Sequence, residues 1–182
     1  MAEPATKFPT MITPRLRLRQ FESKDDKGLH ACLGNHDLVR YWDFAPCKNI
    51  QETRGWVRAL AKTIQPYSAI AWAVADIQND ECIGMINYHH REAHSRRLEI
   101  GYILQADYHG RGLMTEAVQQ MMTHCVDQLK TRRIAAIIHP DNDPSIRLAT
   151  RLGFKLEGGP LRDYWRVGDR FMSPMLYSFI AV

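Results

Sequence analysis

Residues 97–129 constrain the fold more than any other segment, because they join a strand, a glycine loop and a helix without interruption. Residues 97–104 alternate with a period of two, which predicts a half-buried strand with Leu98 on one face and Glu99 on the other. The polar, glycine-rich residues 105–112 predict a loop. From Thr115 onwards apolar residues recur every three or four positions, which predicts an amphipathic helix of about four turns.

The junction between this loop and the helix is a candidate phosphate site. A helix N-terminus carries unpaired N–H groups and the positive end of the helix dipole. Gly110 and Gly112 let the backbone approach a ligand closely, and Arg111 adds a charge. The segment is neither a P-loop nor a dinucleotide fingerprint, because the residues that complete those motifs are missing. A plain turn is the alternative, but the flanking strand and helix favour the phosphate site.

Strand and helix signals alternate through the rest of the chain. Before the loop we expect a strand at 15–19 and an interrupted helical layer over 24–64, with a clearer helix at 52–64. A hairpin of 69–77 with 82–88 follows. Gly84 in its second strand indicates a bulge or a close backbone approach. After the loop we expect a strand at 133–139 and then a helix, with Asp143 as its N-cap, Pro144 as its first residue and Gly153 as its C-terminal cap. A strand at 154–157 and a closing hairpin of 164–167 with 170–180 complete the chain.

Length and composition predict one globular domain over residues 1–182, with 45% hydrophobic and 24% charged residues. No apolar run approaches the roughly 20 residues that cross a bilayer, and residues 1–11 lack a signal-peptide core, so we expect a cytoplasmic protein without membrane contact. The four cysteines are widely spaced and are predicted to be reduced. The net charge of +4 is scattered through the chain, which fits a pocket for a phosphorylated cofactor at least as well as it fits nucleic acid, and we do not expect a nucleic-acid partner.

Several motifs form a recognisable set over nearly the whole chain. They are Pro14–Arg19, Ile83-Gly84, Glu99–Tyr102, Tyr108–Ala117, Asn142–Ser145 and Leu152–Gly158. With them the chain resembles the GNAT acyltransferase superfamily, and within it the branch of the ribosomal-protein N-terminal acetyltransferases. The resemblance implies an α/β (α+β) GNAT fold, with a central, mixed, mostly antiparallel twisted sheet of about seven strands flanked by helices. It also implies acetyl-CoA as cosubstrate and a primary amine as acceptor, with a protein N-terminus favoured. We expect no metal and either a monomer or a homodimer.

The superfamily's cofactor motif, Q/R-x-x-G-x-G/A, falls on residues 109–114. His109 stands where Gln or Arg is usual and Met114 where a small residue is usual, while the central Gly112 is retained. The resemblance implies that amides from Arg111 to Thr115 cradle the pyrophosphate and that Asn142 bonds the pantetheine arm, although Asn142 also suits a plain turn. The predicted cofactor-binding residues are Ile100, Tyr102, Ile103, His109, Gly110, Arg111, Gly112, Leu113, Met114, Thr115, Asn142 and Ser145.

Acetyl transfer to an amine needs a neutral amine, stabilisation of the tetrahedral oxyanion, and a proton for the departing thiolate. By resemblance, Glu99 is the candidate general base. The alternatives are that a chain of water molecules takes the proton, or that Glu99 is a solvated strand carboxylate without a catalytic role. The resemblance also implies that a backbone N–H near Ile100 to Ile103 stabilises the oxyanion. The tyrosine that many members use as acid is replaced by Ala149. Ser145 resembles the serine that the ribosomal-protein branch places beside the coenzyme A sulfur, and is the candidate proton donor; a serine with only local hydrogen bonds is the alternative.

Three histidines lie close together in the sequence: His89, His90 and His94. We do not expect a metal there, because adjacent strand positions face opposite ways and no carboxylate or cysteine completes the site. The aromatic residues at 41–44 are predicted to belong to the core. The family places its acceptor pocket between the helical layer and the closing hairpin, so Trp42 and Tyr164 are also candidates for lining that pocket.

Two other functions stay open at this stage. One is an enzyme that acetylates small amines such as polyamines or aminoglycosides. The other is a noncatalytic module that holds coenzyme A or an RNA surface but transfers nothing. The segments that would choose the acceptor have the least informative sequence.

Overall fold

The computed structural model describes residues 8–62 and 68–182. The strands are β1 (Met11–Ile12), β2 (Leu16–Arg19), β3 (Ile70–Asp76), β4 (Cys82–Glu92), β5 (Arg97–Leu104), β6 (Arg133–Ile138), β7 (Lys155–Gly158), β8 (Trp165–Val167), β9 (Arg170–Met172) and β10 (Met175–Ile180). The helices are α1 (Asp26–Leu33), α2 (His36–Val39), α3 (Ile50–Ala61), α4 (Leu113–Asp127) and α5 (Asp143–Arg151). The predicted end of the third helix, Ile64, lies outside the described residues. None of these helices has the length and apolar character to cross a membrane.

Eight strands form one sheet, in the order β1-β2-β3-β4-β5-β6-β10-β7. Neighbours run antiparallel except for β5 and β6, which are parallel. This mixed, mostly antiparallel sheet flanked by helices is the predicted fold, with one strand more than the seven or so expected. Strand β5 has the predicted bounds.

The parallel pair β5 and β6 separates after three residues. Pairing runs from Arg97 with Arg133 to Glu99 with Ala135 and then stops. Beyond this point β5 continues alongside β4 as far as Leu104, and β6 continues alongside β10. Among the described residues, one edge of β5 therefore has no strand partner from residue 100 onwards.

Each face of the sheet carries its own apolar cluster. Leu98 and Ile100 of β5 pack with α4 on one face, and Ile103 packs with Leu29 of α1 and Val57 of α3 on the other. The predicted orientation of β5 is therefore confirmed. Glu99, which alternates with the α4-facing positions, lies on the α1 and α3 side.

Two predicted helix starts are wrong. Helix α4 begins at Leu113, two residues before Thr115, with Gly112 in the N-cap position. Helix α5 is capped by Asn142 rather than by Asp143, because the Asn142 side chain accepts the N–H of Ser145. Pro144 is tolerated just inside the helix, since an N–H at that position would have no helical acceptor.

The closing hairpin is only partly as predicted. Strands β8 and β9 form a separate two-stranded sheet around a turn at Gly168, whereas the predicted strand 170–180 is interrupted by Ser173 and Pro174. Proline has no N–H for a strand ladder. Strand β10 follows it and enters the main sheet between β6 and β7.

Gly84 lies where a side chain would collide with β5. A Cβ atom there would stand 2.4 Å from the carbonyl oxygen of Ile103, and the β3–β4 register shifts beside it, so the predicted bulge and close approach are both confirmed.

We expect Gly84→Ala to lower the free energy of unfolding by about 1–3 kcal/mol in urea denaturation followed by circular dichroism. The control is Gly55→Ala in α3, where a Cβ meets no atom within 4 Å; it should stabilise by about 0.5–1 kcal/mol. Equal effects would contradict the close approach.

Candidate active site

The unpaired edge of β5 presents backbone groups to the gap between β5 and β6. The N–H of Gln105 donates to β4, and β4 and β5 stay in register from there back to Glu99. Because backbone groups alternate along a strand, Ile100 and Tyr102 direct their N–H groups away from β4 and into the gap. Gly101 and Ile103 direct theirs toward β4, so within the predicted range of Ile100 to Ile103 the amides of Ile100 and Tyr102 are the ones that face the gap.

Six successive amide groups, from Gly110 to Thr115, have no acceptor among the residues that the structure describes. Gly110 and Gly112 have φ angles of +75° and +74°, which other residues rarely adopt. The first hydrogen bond of α4 runs from the Glu116 N–H to the Gly112 carbonyl, so the amides before it are free at the helix end. This is the segment predicted to cradle pyrophosphate. Together with the helix dipole it is suited to bind an anion.

Residues near the N-terminal strands hold this helix end in place. The Glu116 carboxylate accepts from the Thr13 hydroxyl at 2.6 Å and from the backbone N–H and Nε of Arg15 at 3.0 and 2.7 Å. Arg15 also donates to the Arg111 carbonyl at 2.9 Å. Burial opposes ionisation of Glu116, but the hydrogen bonds from Thr13 and Arg15 outweigh it and lower its pKa. The ionised carboxylate thus ties the first strands to the glycine loop.

The fold accommodates both departures from the cofactor motif. The His109 imidazole turns back to the end of β5, where its Nε2 lies 2.9 Å from the Leu104 carbonyl oxygen. Met114 is only 8% exposed and belongs to the cluster between α4 and the sheet. Its side chain therefore packs into the core and does not cover the free amides.

A cavity of about 480 Å³ adjoins the glycine loop and the first turns of α4 and α5. Three arginines line it, Arg40, Arg147 and Arg151, against the single acidic residue Asp37. Arg151 also donates to the Thr115 hydroxyl at 3.4 Å. The two arginines of α5 are not among the predicted site residues, and their spacing of four residues on a predicted helix was the signal that could have found them. Free amides and guanidinium groups together give the cavity the chemistry of a phosphate site.

Ser145 and Tyr102 meet at the same cavity. The Tyr102 hydroxyl donates to the Ser145 carbonyl at 3.3 Å, which bridges β5 and α5 across the gap. The Ser145 N–H donates to Asn142 Oδ1 at 3.3 Å, so both hydrogen bonds of Ser145 use its backbone. Burial raises the pKa of Tyr102 to about 12, which keeps the phenol protonated at neutral pH. Asn142 uses its oxygen as a cap, so its NH₂ group is the part that can meet a ligand.

A second cavity, of about 460 Å³, lies beside the first residues of β5 and β6, next to the segment that leads into β8. Glu99, His90 and Tyr164 line it together with an apolar wall that includes Leu161 and Leu176. Burial and the negative charge of Glu99 raise the pKa of Tyr164.

Trp42 does not line this second cavity. It borders the first one and packs against Phe44, with the ring centres 5.2 Å apart and the ring planes tilted by 52°. Of the two aromatic candidates for the acceptor pocket, the structure therefore places only Tyr164 beside Glu99.

Two histidines contact Glu99, contrary to the sequence-based expectation. His89 pairs with Glu99 across β4 and β5, and its Nε2 lies 3.6 Å from Glu99 Oε2. His90 has a φ of +49° where the β4 register shifts, and its Nδ1 lies 3.3 Å from the same oxygen. The bulge cancels the alternation on which the expectation depended. A hydrogen bond from His89 lowers the pKa of Glu99. Burial of the carboxyl acts in the opposite direction, and a second hydrogen bond from His90 adds to the lowering.

The family model described as Acetyltransferase (GNAT) domain matches residues 15–155. The chain belongs to the GNAT acetyltransferase family. The uncharacterized N-acetyltransferase YoaA from Bacillus subtilis is 31% identical to this GNAT enzyme over 173 residues, which is 95% of this chain and 97% of YoaA. The ribosomal-protein-serine acetyltransferase of Escherichia coli is 30% identical over 144 residues, 71% of this chain and 79% of the relative. The protein is therefore an N-acetyltransferase, similar to the ribosomal-protein branch.

A structure and a more distant relative extend the comparison. RimL, a ribosomal L7/L12 α-N-protein acetyltransferase, superposes on this GNAT enzyme with a TM-score of 0.83 at 23% identity, covering 100% of this chain and 99% of RimL, which confirms the fold. The spermidine N(1)-acetyltransferase of Escherichia coli is 25% identical over 155 residues, 85% of this chain and 80% of the relative. Enzymes for protein and for polyamine acceptors thus both occur among the relatives.

Gly112→Asp tests the anion site of this GNAT enzyme. We expect it to abolish acetyl-CoA binding in calorimetry, because a carboxylate at the helix N-cap repels phosphate and a side chain strains a φ of +74°. Gly168→Asp is the matched control, since Gly168 also has a positive φ of +59° but lies in the β8–β9 turn. It should bind acetyl-CoA like the unaltered chain. Binding retained by Gly112→Asp would count against the loop as the cofactor site.

Proposed function

We propose that this enzyme transfers the acetyl group of acetyl-CoA to the N-terminal amine of a protein. The observation that supports the proposal most directly is the separation of β5 from β6, because it makes β5 a wall of both cavities. Tyr102 borders the cavity with the free amides and Glu99 borders the other. The two residues are three positions apart, so they lie about 10 Å from each other along β5 and on opposite faces of it.

The residues around the first cavity fit coenzyme A. The amides from Gly110 to Thr115 would hold the pyrophosphate, Arg147 and Arg151 would neutralise phosphate charge, and the Asn142 NH₂ would bond the pantetheine arm. When bound, acetyl-CoA supplies the activated acetyl thioester. The Ile100 and Tyr102 N–H groups face the gap and would stabilise the negative charge that develops on the thioester oxygen.

The proton transfers can be assigned to side chains on the two sides of β5. The amine nitrogen forms the new C–N bond to the acetyl carbon while the C–S bond breaks. Glu99 accepts the proton of the amine, directly or through one water, and later releases it to solvent. The Ser145 hydroxyl donates a proton to the departing sulfur and takes one back from solvent. An N-terminal amine has a pKa near 8, so part of it is neutral at pH 7 without a strong base.

The charges of the second cavity favour a protein N-terminus over a polyamine. Glu99 is the carboxylate in the lining, and the two guanidiniums there are already paired, Arg97 with Glu92 at 2.8 Å and Arg133 with Glu157. No excess of negative charge attracts a polycation to this lining. The apolar wall at Leu161 and Leu176 suits the side chain of an N-terminal residue, and the ribosomal-protein-serine acetyltransferase supports the same acceptor class.

Substitution of the two proton-transfer groups should separate chemistry from binding. We expect Ser145→Ala and Glu99→Gln each to lower kcat by about 10- to 1000-fold, because each removes a group that exchanges a proton during the reaction. The affinity for acetyl-CoA, measured by calorimetry, should change little. The matched control is Thr150→Ala, which alters an exposed hydroxyl near the other end of α5 and should keep full activity.

Tyr102→Phe distinguishes the two candidate donors to sulfur. It keeps the ring in place but removes the phenol that bonds to Ser145. An unchanged kcat in Ser145→Ala together with a large loss in Tyr102→Phe would transfer the donor role to Tyr102. Full activity in both would exclude this region from the proton transfer.

The acceptor class is tested by release of free coenzyme A with a panel of amines. We expect the highest kcat/KM with peptides that carry a free N-terminus, and lower values with spermidine and aminoglycosides, because the cavity does not attract a polycation. N-terminally blocked peptides that retain a lysine are the control for side-chain acetylation. A clear preference for spermidine would overturn the proposed acceptor, and the absence of turnover with every amine would overturn the proposed function.

A further inference from the structure

The cluster of His89, His90 and Glu99 has a geometry that the proton transfer does not require. In a regular strand His90 would point away from its neighbour, but the bulge in β4 turns it to the same side. The two imidazole rings stand 4.8 Å apart, centre to centre. Glu99 reaches the pair from β5, because it lies directly opposite His89 in the sheet.

Two imidazole nitrogens and one carboxylate oxygen meet at the centre of the cluster. In the tautomer of His89 with the hydrogen on Nε2, the ring donates to Glu99 Oε2, and this shared hydrogen holds the two groups together. In the other tautomer Nδ1 carries the hydrogen and faces Asn87 Oδ1 at 3.4 Å, and Nε2 has a lone pair that can bind a cation in place of the shared hydrogen. Metal-bound histidines commonly donate their other N–H to an oxygen, and Asn87 Oδ1 is placed to be that acceptor.

The distances match those between the ligands of a tetrahedral metal. Zinc binds imidazole nitrogen and carboxylate oxygen at about 2.0–2.2 Å, which requires neighbouring ligand atoms to be about 3.3–3.5 Å apart. Glu99 Oε2 lies 3.6 Å from His89 Nε2 and 3.3 Å from His90 Nδ1. One ligand atom from each of the three residues can be chosen so that all lie within 4.8 Å of one another. Small side-chain rotations would close the set.

We propose that His89, His90 and Glu99 form a binding site for a divalent transition metal, with Zn²⁺ as its best-suited occupant. Two imidazoles and one carboxylate suit zinc better than Mg²⁺ or Ca²⁺, which prefer oxygen ligands. Three protein ligands leave a fourth tetrahedral position open to water. His90 is 72% exposed, so the site is accessible from solvent.

Occupation of this site has a consequence that rests on the proposed function. The metal would use the Glu99 carboxylate that accepts the amine proton and would stand at the lining of the second cavity. We therefore expect zinc to inhibit acetyl transfer by lowering kcat. The affinity for acetyl-CoA, which concerns the other cavity, should stay the same.

Calorimetric titration of the full chain with zinc chloride, in the absence of acetyl-CoA, tests the site. We expect one zinc per chain and no heat with magnesium chloride. His89→Ala, His90→Ala and Glu99→Gln should each weaken zinc binding by about 10-fold or more, since each removes a ligand. His94→Ala is the matched control, because His94 is an exposed histidine of the same connection that lies outside the cluster; it should bind zinc unchanged.

Anomalous diffraction at the zinc edge, from a crystal of the chain grown with zinc, supplies a second measurement. The ion should lie about 2.0–2.2 Å from the three ligand atoms. Zinc binding that is absent, that persists in both His90→Ala and Glu99→Gln, or that is located at another histidine would overturn the proposal. Zinc binding without acetyl transfer to any amine would contradict the proposed function but would still support the metal site.

Discussion

The short pairing between β5 and β6 determines where ligands can bind this protein. Hydrogen bonds between the two strands end at Glu99 and Ala135, and from there each strand follows its antiparallel neighbour. Backbone groups that lose a strand partner need another one, and a ligand or water is the available partner in the gap. A continuous pairing would satisfy the N–H groups of Ile100 and Tyr102 within the sheet and leave no donors for the reaction.

The helix end beside this gap adds the charge that a phosphorylated cosubstrate requires. The segment with six free amides and the N-terminus of α4 border the first cavity, and two arginines of α5 line it as well. The position of the helix end depends on a residue far away in sequence. Arg15 holds both the Glu116 carboxylate and the Arg111 carbonyl, so the first strands fix the loop on which binding depends.

The bulge at His90 gives the opposite side of β5 its particular chemistry. A residue with a φ of +49° carries a local conformational cost, and in return two imidazoles face one carboxylate. The same arrangement supports both inferences drawn for Glu99. It holds a carboxylate ionised beside the second cavity, and it gathers three ligand atoms at the spacing of a metal site.

Local patterns in the sequence were sufficient for the strand at 97–104, the glycine turns at 110 and 112, and the amphipathic helix after them, because periodicity and backbone freedom are properties of neighbouring residues. The motifs were likewise sufficient for the family and the fold. They did not give the exact starts of α4 and α5, since one side-chain hydrogen bond decided which residue capped α5.

Only the tertiary structure decided what stands beside these elements. The separation of β5 from β6, the arginines of α5 at the cavity and the Tyr102 contact with Ser145 each join residues distant in the chain. The histidine cluster shows the limit most clearly, because alternation along β4 predicted the wrong side for His90. A bulge results from how two strands pair, and pairing is a relation between segments that no single stretch of sequence contains.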